Sequence, residues 1–134
     1  MAHVLQNLGL KKALVVHGED GLDEITTTAK TFASEYNGQN IISYEIDPSS
    51  YGISRALPQD LKGGGVEANA QIISDVLSGQ AGPRRDIVLL NAAHALYIAG
   101  KASTVSEGLE AARRSIDTKK AKEKFDSLIA FTNQ

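Results

Sequence analysis

The hydrophobic positions of this chain repeat with two different spacings, and the spacing changes about midway along the sequence. In the first half, short runs rich in apolar, β-branched and aromatic residues predict strands. In the second half, apolar residues recur three and four positions apart, which is typical of helices. The predicted strands cover about residues 12–17, 27–35 and 40–46. The predicted helices cover about residues 1–8, 66–78, 84–99, 104–116 and 119–132. The pattern therefore predicts an α/β fold.

The predicted strands do not by themselves make a well-covered sheet. The continuous apolar run Ala13–Val16 is typical of a strand that is buried on both faces, inside the sheet of an α/β protein. The next two strands flank Asn37-Gly38, a dipeptide that favours tight turns, and we expect them to form a hairpin. A buried strand needs neighbours on both sides. The pattern therefore indicates part of a larger α/β domain.

The predicted helices carry recognisable boundary signals and two polar residues of interest. Thr104 and Glu107 have the spacing of a capping box, in which Glu107 reaches back to the amide of Thr104. His94 shares a helical face with apolar residues, so we expect a hydrogen-bonded histidine in the core or at an interface. Asn91 is interpreted as a buried polar anchor between helices. The segment 51–65 is predicted to be irregular.

Composition and charge exclude several classes of function. The 134 residues include 14 basic and 16 acidic side chains, a balance that disfavours a dedicated nucleic-acid binder. There are no cysteines, which excludes disulfides, thiolate metal sites and cysteine nucleophiles. No apolar run approaches the roughly 20 residues that cross a bilayer, and the first residues lack the pattern of a signal peptide. We therefore expect a soluble, cytoplasmic protein that forms a single unit.

One short segment carries the candidate chemistry. Four of the six residues from Glu19 to Glu24 are carboxylates, and no Lys or Arg lies among them. They follow a predicted strand directly, at the end where α/β proteins bind ligands. Such close negative charges repel unless they are solvated or a cation lies between them. Mg²⁺ is the hard cation that one or two carboxylates hold together with phosphate oxygens of a substrate. A solvated turn before the hairpin is the alternative.

This segment also resembles a known sequence signature. Residues Val15–Glu24 are similar to the His-Gly-x-Asp-Gly-Leu-Asp-Glu motif of the anthranilate phosphoribosyltransferases. Weaker matches follow in the order in which that family has them, and together they cover nearly the whole chain. They are residues 1–9, Asp47-Pro48, Tyr51-Gly52, Gly63-Gly64-Gly65, residues 67–70, Leu90–Ala93, Ala95–Tyr97 and Gly100. The resemblance implies a nucleoside phosphorylase/phosphoribosyltransferase-type α/β domain.

The resemblance also implies an activity and a metal site. The family transfers the phosphoribosyl group of phosphoribosyl pyrophosphate to anthranilate in tryptophan biosynthesis and releases pyrophosphate. Its members are homodimers, and an adjacent Asp-Glu pair helps to hold Mg²⁺ beside the pyrophosphate. Carried over, Asp23 and Glu24 are the metal-site residues here. No catalytic residue and no further cofactor-binding residue is assigned.

Several motifs of the family lie outside this sequence. Its glycine-rich pyrophosphate loop, its Lys-His-Gly-Asn segment and its anthranilate-contacting arginine precede the matching region. Residues 1–134 are therefore expected to be the C-terminal portion of the catalytic α/β domain, without its first part and without the N-terminal helical domain. Such a chain is expected to be inactive alone and prone to self-association. The alternatives are a related nucleoside phosphorylase and a non-catalytic homologue that binds nucleotides or nucleic acid.

Overall fold

The three strands form one antiparallel sheet in the order β1-β2-β3. They are β1 (Ala13–Gly18), β2 (Thr31–Tyr36) and β3 (Ile41–Ile46). The computed structural model describes residues 1–133 and confirms the mixed α/β class. Its helices are α1 (Ala2–Asn7), a 3-10 helix (Pro48–Tyr51), α2 (Pro58–Leu61), α3 (Val66–Leu77), α4 (Pro83–Ile98), α5 (Val105–Asp117) and α6 (Lys120–Thr132). None of the helices within residues 1–133 is long and apolar enough to cross a membrane.

The predicted hairpin is confirmed, although its first strand is shorter than expected. Tyr36 pairs with Ile41, and the Asn37 side chain accepts hydrogen bonds from two backbone amides within the turn. Gly38 has a φ of 99°, a conformation that favours glycine. The strand begins at Thr31 instead of residue 27, because the threonines before it bond to one another and to an aspartate in a loop.

The first strand is less buried within residues 1–133 than its apolar run predicts. Within residues 1–133, β1 pairs only with β2 and forms an edge of the sheet. Its central residues are half-buried: Leu14 and Val16 pack against the core, and His17 is exposed. The apolar run matches a strand buried on both faces because Val15 on the opposite side is also apolar. Periodicity alone does not distinguish the two cases.

The core lies between the sheet and the helices, with α4 at its centre and α5 packed along α4. Its buried residues are Ile25, Ala33, Ile46, Ile53, Val76, Leu89, Leu90, Ala93, Leu109, Ala112 and Ile116. His94 is buried as predicted, with Nδ1 2.9 Å from the Leu90 carbonyl oxygen and the ring edge-on to Tyr51. Burial lowers the pKa of His94, because it penalises the charged form.

The boundaries of the longer helices follow the sequence signals, with one difference. The Glu107 amide donates to Thr104 Oγ1 over 3.1 Å, as a capping box requires. The Glu107 carboxylate, however, accepts from the amide of Ser103 instead of that of Thr104.

The segment predicted to be irregular, residues 51–65, contains the end of the 3-10 helix and all of α2. Both begin at a proline, which fits the first turn of a helix because it needs no amide donor there.

Gly108 allows α4 and α5 to approach each other closely. A Cβ atom at this position would lie 2.5 Å from the carbonyl oxygen of Ala93, which belongs to the backbone of α4. We therefore expect Gly108→Ala to lower the free energy of unfolding by about 1–3 kcal/mol through overpacking. Because the clash is with backbone and no side-chain rotation relieves it, the overpacking cost lies toward the upper end of this range and outweighs the roughly 1 kcal/mol that alanine gains in helix propensity.

Urea unfolding of the 134-residue chain measures this effect. Gly65→Ala is the matched control, because a Cβ atom there meets nothing within 4 Å and the φ of −68° suits alanine. The control should lose less than about 1 kcal/mol, the cost of an alanine at the N-cap of α3. A Gly108→Ala chain at least as stable as the wild type would contradict the close approach of the two helices.

Candidate functional site

The acidic residues lie in the connection between β1 and β2, residues 19–30, which we call the acidic loop. The loop begins with a tight turn, in which the Gly18 amide donates to the Leu22 carbonyl oxygen over 2.8 Å. The amide of Gly21 donates back to the Gly18 carbonyl oxygen, and Gly21 has a φ of 93°, which favours glycine. The connection is therefore a folded structure that leaves the strand at a defined point.

Asp20 holds the acidic loop together from within. Its Oδ1 accepts from the Leu22 amide over 3.1 Å, and its Oδ2 accepts from the hydroxyls of Thr26, at 2.6 Å, and Thr28. Burial opposes ionisation of this carboxyl, but the hydrogen bonds outweigh it and lower the pKa of Asp20. Asp20 is thus an ionised carboxylate whose oxygens accept hydrogen bonds from the loop itself.

A second anchor comes from α4. The Asn91 side chain accepts from the Ile25 amide over 3.0 Å and donates to the Ile25 carbonyl oxygen over 2.8 Å. It also donates to the carbonyl oxygen of Ile87, one turn earlier in α4. The prediction that Asn91 is a polar anchor is right, but it joins a helix to the acidic loop and not two helices to each other. Ile25 itself is 2% exposed and belongs to the core.

Asp23 and Glu24 lie between these two anchors. Both are exposed, and within residues 1–133 neither carboxylate has a hydrogen-bond or ion-pair partner. The pKa of Glu24 is raised, mainly because its carboxyl is partly desolvated despite its exposure. The negative charges of Asp23 and Asp20 raise it further. A cation next to this pair would therefore relieve repulsion that the protein leaves uncompensated. Sequence reasoning identified the pair but not the residues that hold it in place.

The donor set fits Mg²⁺ only if other ligands are added. Within residues 1–133 no group of three or more histidine or acidic side chains is arranged to hold a metal. Mg²⁺ is commonly bound by one or two carboxylates, and waters and substrate phosphates complete its octahedral shell. Two free carboxylates on an exposed loop have the chemistry of such an incomplete site. His17 is exposed, and within residues 1–133 its side chain makes no hydrogen bond.

The acidic loop borders an open, mainly apolar groove of about 470 Å³. Leu22 and Glu24 form the loop side of the groove, and Arg84 lies in its wall. Apolar side chains from α2, α3 and α4 form much of the remaining lining: Leu61, Ile72, Ile73, Val76, Leu77, Ile87 and Val88. In the first turns of α3, the Asn69 side chain makes two hydrogen bonds to the backbone of Gly64. Open surface of the size of a ligand pocket therefore lies next to Glu24.

Comparison with known proteins identifies the family. Residues 1–122 match the family described as "Glycosyl transferase family, a/b domain". Because the match covers most of the sequence, the chain belongs to this family.

The most similar relatives include anthranilate phosphoribosyltransferases, in agreement with the sequence signature. The chain is 50% identical over 133 residues to that of Acetivibrio thermocellus, which covers 99% of the chain and 39% of the relative. The crystal structure of the enzyme from Thermus thermophilus superposes with a TM-score of 0.88 at 35% identity, over 99% of this chain and 39% of that one. The chain thus spans about 39% of the length of these relatives.

A more distant structure carries ligands. The Saccharomyces cerevisiae anthranilate phosphoribosyltransferase in complex with PRPP and Mg has a TM-score of 0.75 and 25% identity, and covers 84% of this chain and 33% of that one. PRPP is phosphoribosyl pyrophosphate. The likeness extends to an enzyme of the same name that binds the metal suggested by the acidic loop.

Proposed function

We propose that this chain is part of an enzyme that transfers the phosphoribosyl group of phosphoribosyl pyrophosphate to anthranilate and releases pyrophosphate. In this proposal Asp23 and Glu24 hold Mg²⁺. The observation that carries it is the pair of carboxylates without partners, held between two fixed points of the acidic loop. The chain is 50% and 49% identical in sequence to two anthranilate phosphoribosyltransferases, and this similarity supports the choice of substrates.

The proposal assigns a limited task to each residue of the loop. Asp23 and Glu24 supply oxygen ligands, and Asp20 keeps the preceding turn in shape. When bound, Mg²⁺ neutralises the negative charge that develops on the leaving pyrophosphate. Because the loop is already folded by its own hydrogen bonds, the carboxylates need little reorganisation when the ligands arrive.

The proposal also covers the organisation of the protein. Residues 1–134 form one unit, the C-terminal portion of the catalytic α/β domain, of which Gln134 lies outside the described residues. The remaining 61% or so of a relative's length would supply the rest of the substrate site. The complete enzyme is proposed to be a cytoplasmic homodimer.

An assay of the complete protein that contains this chain tests the function. We expect phosphoribosyl anthranilate to form from phosphoribosyl pyrophosphate and anthranilate, with one pyrophosphate released for each transfer. A chelator such as EDTA should abolish the reaction, and excess Mg²⁺ should restore it, because the proposed carboxylates act only through the metal. Cleavage of nucleosides by inorganic phosphate, without transfer to anthranilate, would contradict the proposal and favour a nucleoside phosphorylase.

A further inference from the structure

We propose that Asn91 is a positioning residue for the metal site, acting through the backbone of Ile25. This inference rests on the proposed function, because it concerns the carboxylates assigned there to Mg²⁺. Asn91 itself is not a ligand in this proposal. Its amide fixes the point from which the preceding residue, Glu24, presents its carboxylate.

The geometry of the contact favours this role. One side chain bonds to both the amide and the carbonyl oxygen of a single residue, with distances of 3.0 and 2.8 Å. Two bonds to the backbone of one residue define the orientation of that backbone as well as its distance from α4. The third bond, from Asn91 to the Ile87 carbonyl oxygen at 3.0 Å, fixes the rotation of the amide group. The contact therefore fixes the backbone of Ile25 relative to α4.

The contact ties the acidic loop to the core. Ile25 is 2% exposed, and Asn91 is half-buried in α4 next to Leu90, which is 0% exposed. The chain is therefore fixed immediately after Glu24 by the core, and before Asp23 by the bonds that Asp20 makes. Exposed loops without such supports fluctuate. Only the two proposed ligands lie between the anchors, so the supports fix the backbone from which those carboxylates project.

Loss of this support should weaken metal binding more than it weakens the fold. Removing a residue that orients metal ligands from outside the coordination shell typically lowers metal affinity by about 10–100-fold. Asn91→Ala removes all three hydrogen bonds. Leu96→Ala is the control for stability, because Leu96 packs against the core from the same helix and its side chain makes no hydrogen bond to the acidic loop. Asn91→Gln keeps an amide on a longer side chain and perturbs α4 less.

Mn²⁺ is a suitable probe, because it accepts the same oxygen ligands and broadens NMR signals of nearby nuclei. The complete protein that contains this chain, labelled with ²H and ¹⁵N, is titrated with Mn²⁺ in the presence of inorganic pyrophosphate, and broadening of the Asp23 and Glu24 amide signals gives the affinity. Hydrogen exchange of the Ile25 amide is followed in parallel, since this amide is bonded to Asn91. Unfolding by urea is measured for each variant.

We expect about tenfold weaker Mn²⁺ binding in Asn91→Ala, together with faster exchange at Ile25, and unchanged binding in Leu96→Ala. Asn91→Gln should also bind more weakly, and it decides the question if Asn91→Ala does not fold. Selective broadening in the wild type that is equally strong in the folded Asn91 variants would overturn this inference alone. If the wild type shows no selective broadening at Asp23 and Glu24, the metal role of the pair fails, and the inference fails with it.

Discussion

Replacing Asp23 and Glu24 by Asn and Gln in the complete enzyme is expected to lower turnover roughly 10²–10³-fold at limiting Mg²⁺. The two amides keep the size of the side chains but remove the negative charge that attracts the cation. Within residues 1–133 no other group replaces these ligands, because no further cluster of acidic or histidine side chains is arranged to hold a metal. Initial rates of phosphoribosyl anthranilate formation, measured over a range of Mg²⁺ concentrations, give the effect.

A matched control separates ligand loss from loss of charge. Glu123→Gln with Asp126→Asn removes the same two charges from the exposed surface of α6, far along the chain from the acidic loop. Its turnover should stay close to that of the wild type at every Mg²⁺ concentration. Near-normal turnover of the Asp23 and Glu24 variant under all conditions would show that the pair does not hold the metal.

The second large effect concerns the 134-residue chain by itself, which should form no detectable phosphoribosyl anthranilate. Transfer requires the amine of anthranilate to be held against the ribosyl carbon while the pyrophosphate is bound. By its resemblance to the family, the motifs for holding the amine and most of the pyrophosphate lie outside residues 1–134. The chain is assayed alone, and then mixed with a second chain that carries the preceding region of the enzyme.

The same chain is expected to self-associate. Several large apolar side chains are exposed, among them Leu8 at 71%, Phe131 at 72% and Leu128 at 56%. The β1 edge also presents backbone groups that β2 does not use. Exposed edges and apolar patches favour association, so light scattering should give a mass above 14.3 kDa.

For the activity assay, measurable transfer by the chain alone, with no complementing chain, would show that the active site has been misplaced.

Much of the local structure could be predicted because it depends on neighbours in sequence. The helices that begin at Val66, Pro83 and Val105 follow apolar spacing and boundary residues, and the Asn37-Gly38 turn follows from backbone preferences. The antiparallel pairing of β1 with β2 could not be predicted. It depends on the path of the acidic loop, which the apolar run does not encode.

The candidate site was predicted only in part, for the same physical reason. The charges of Asp23 and Glu24 are visible in the sequence, whereas the contact of Asn91 with Ile25 joins residues 66 positions apart. A polar amide within an apolar helix was the available signal, and it indicated an anchor without identifying its partner. In the sequence, Asp20 is one more carboxylate of the acidic loop, whereas in the structure the threonines that bond to it distinguish it from its neighbours.

The most direct test of the metal assignment is crystallography of the complete enzyme with Mn²⁺ and phosphoribosyl pyrophosphate. Anomalous scattering locates the metal independently of any assumption about the site. The account predicts an anomalous peak within coordination distance of carboxylate oxygens of both Asp23 and Glu24, with pyrophosphate oxygens as further ligands. A fully occupied metal bound to the pyrophosphate, with Asp23 and Glu24 both turned away from it, would contradict the account.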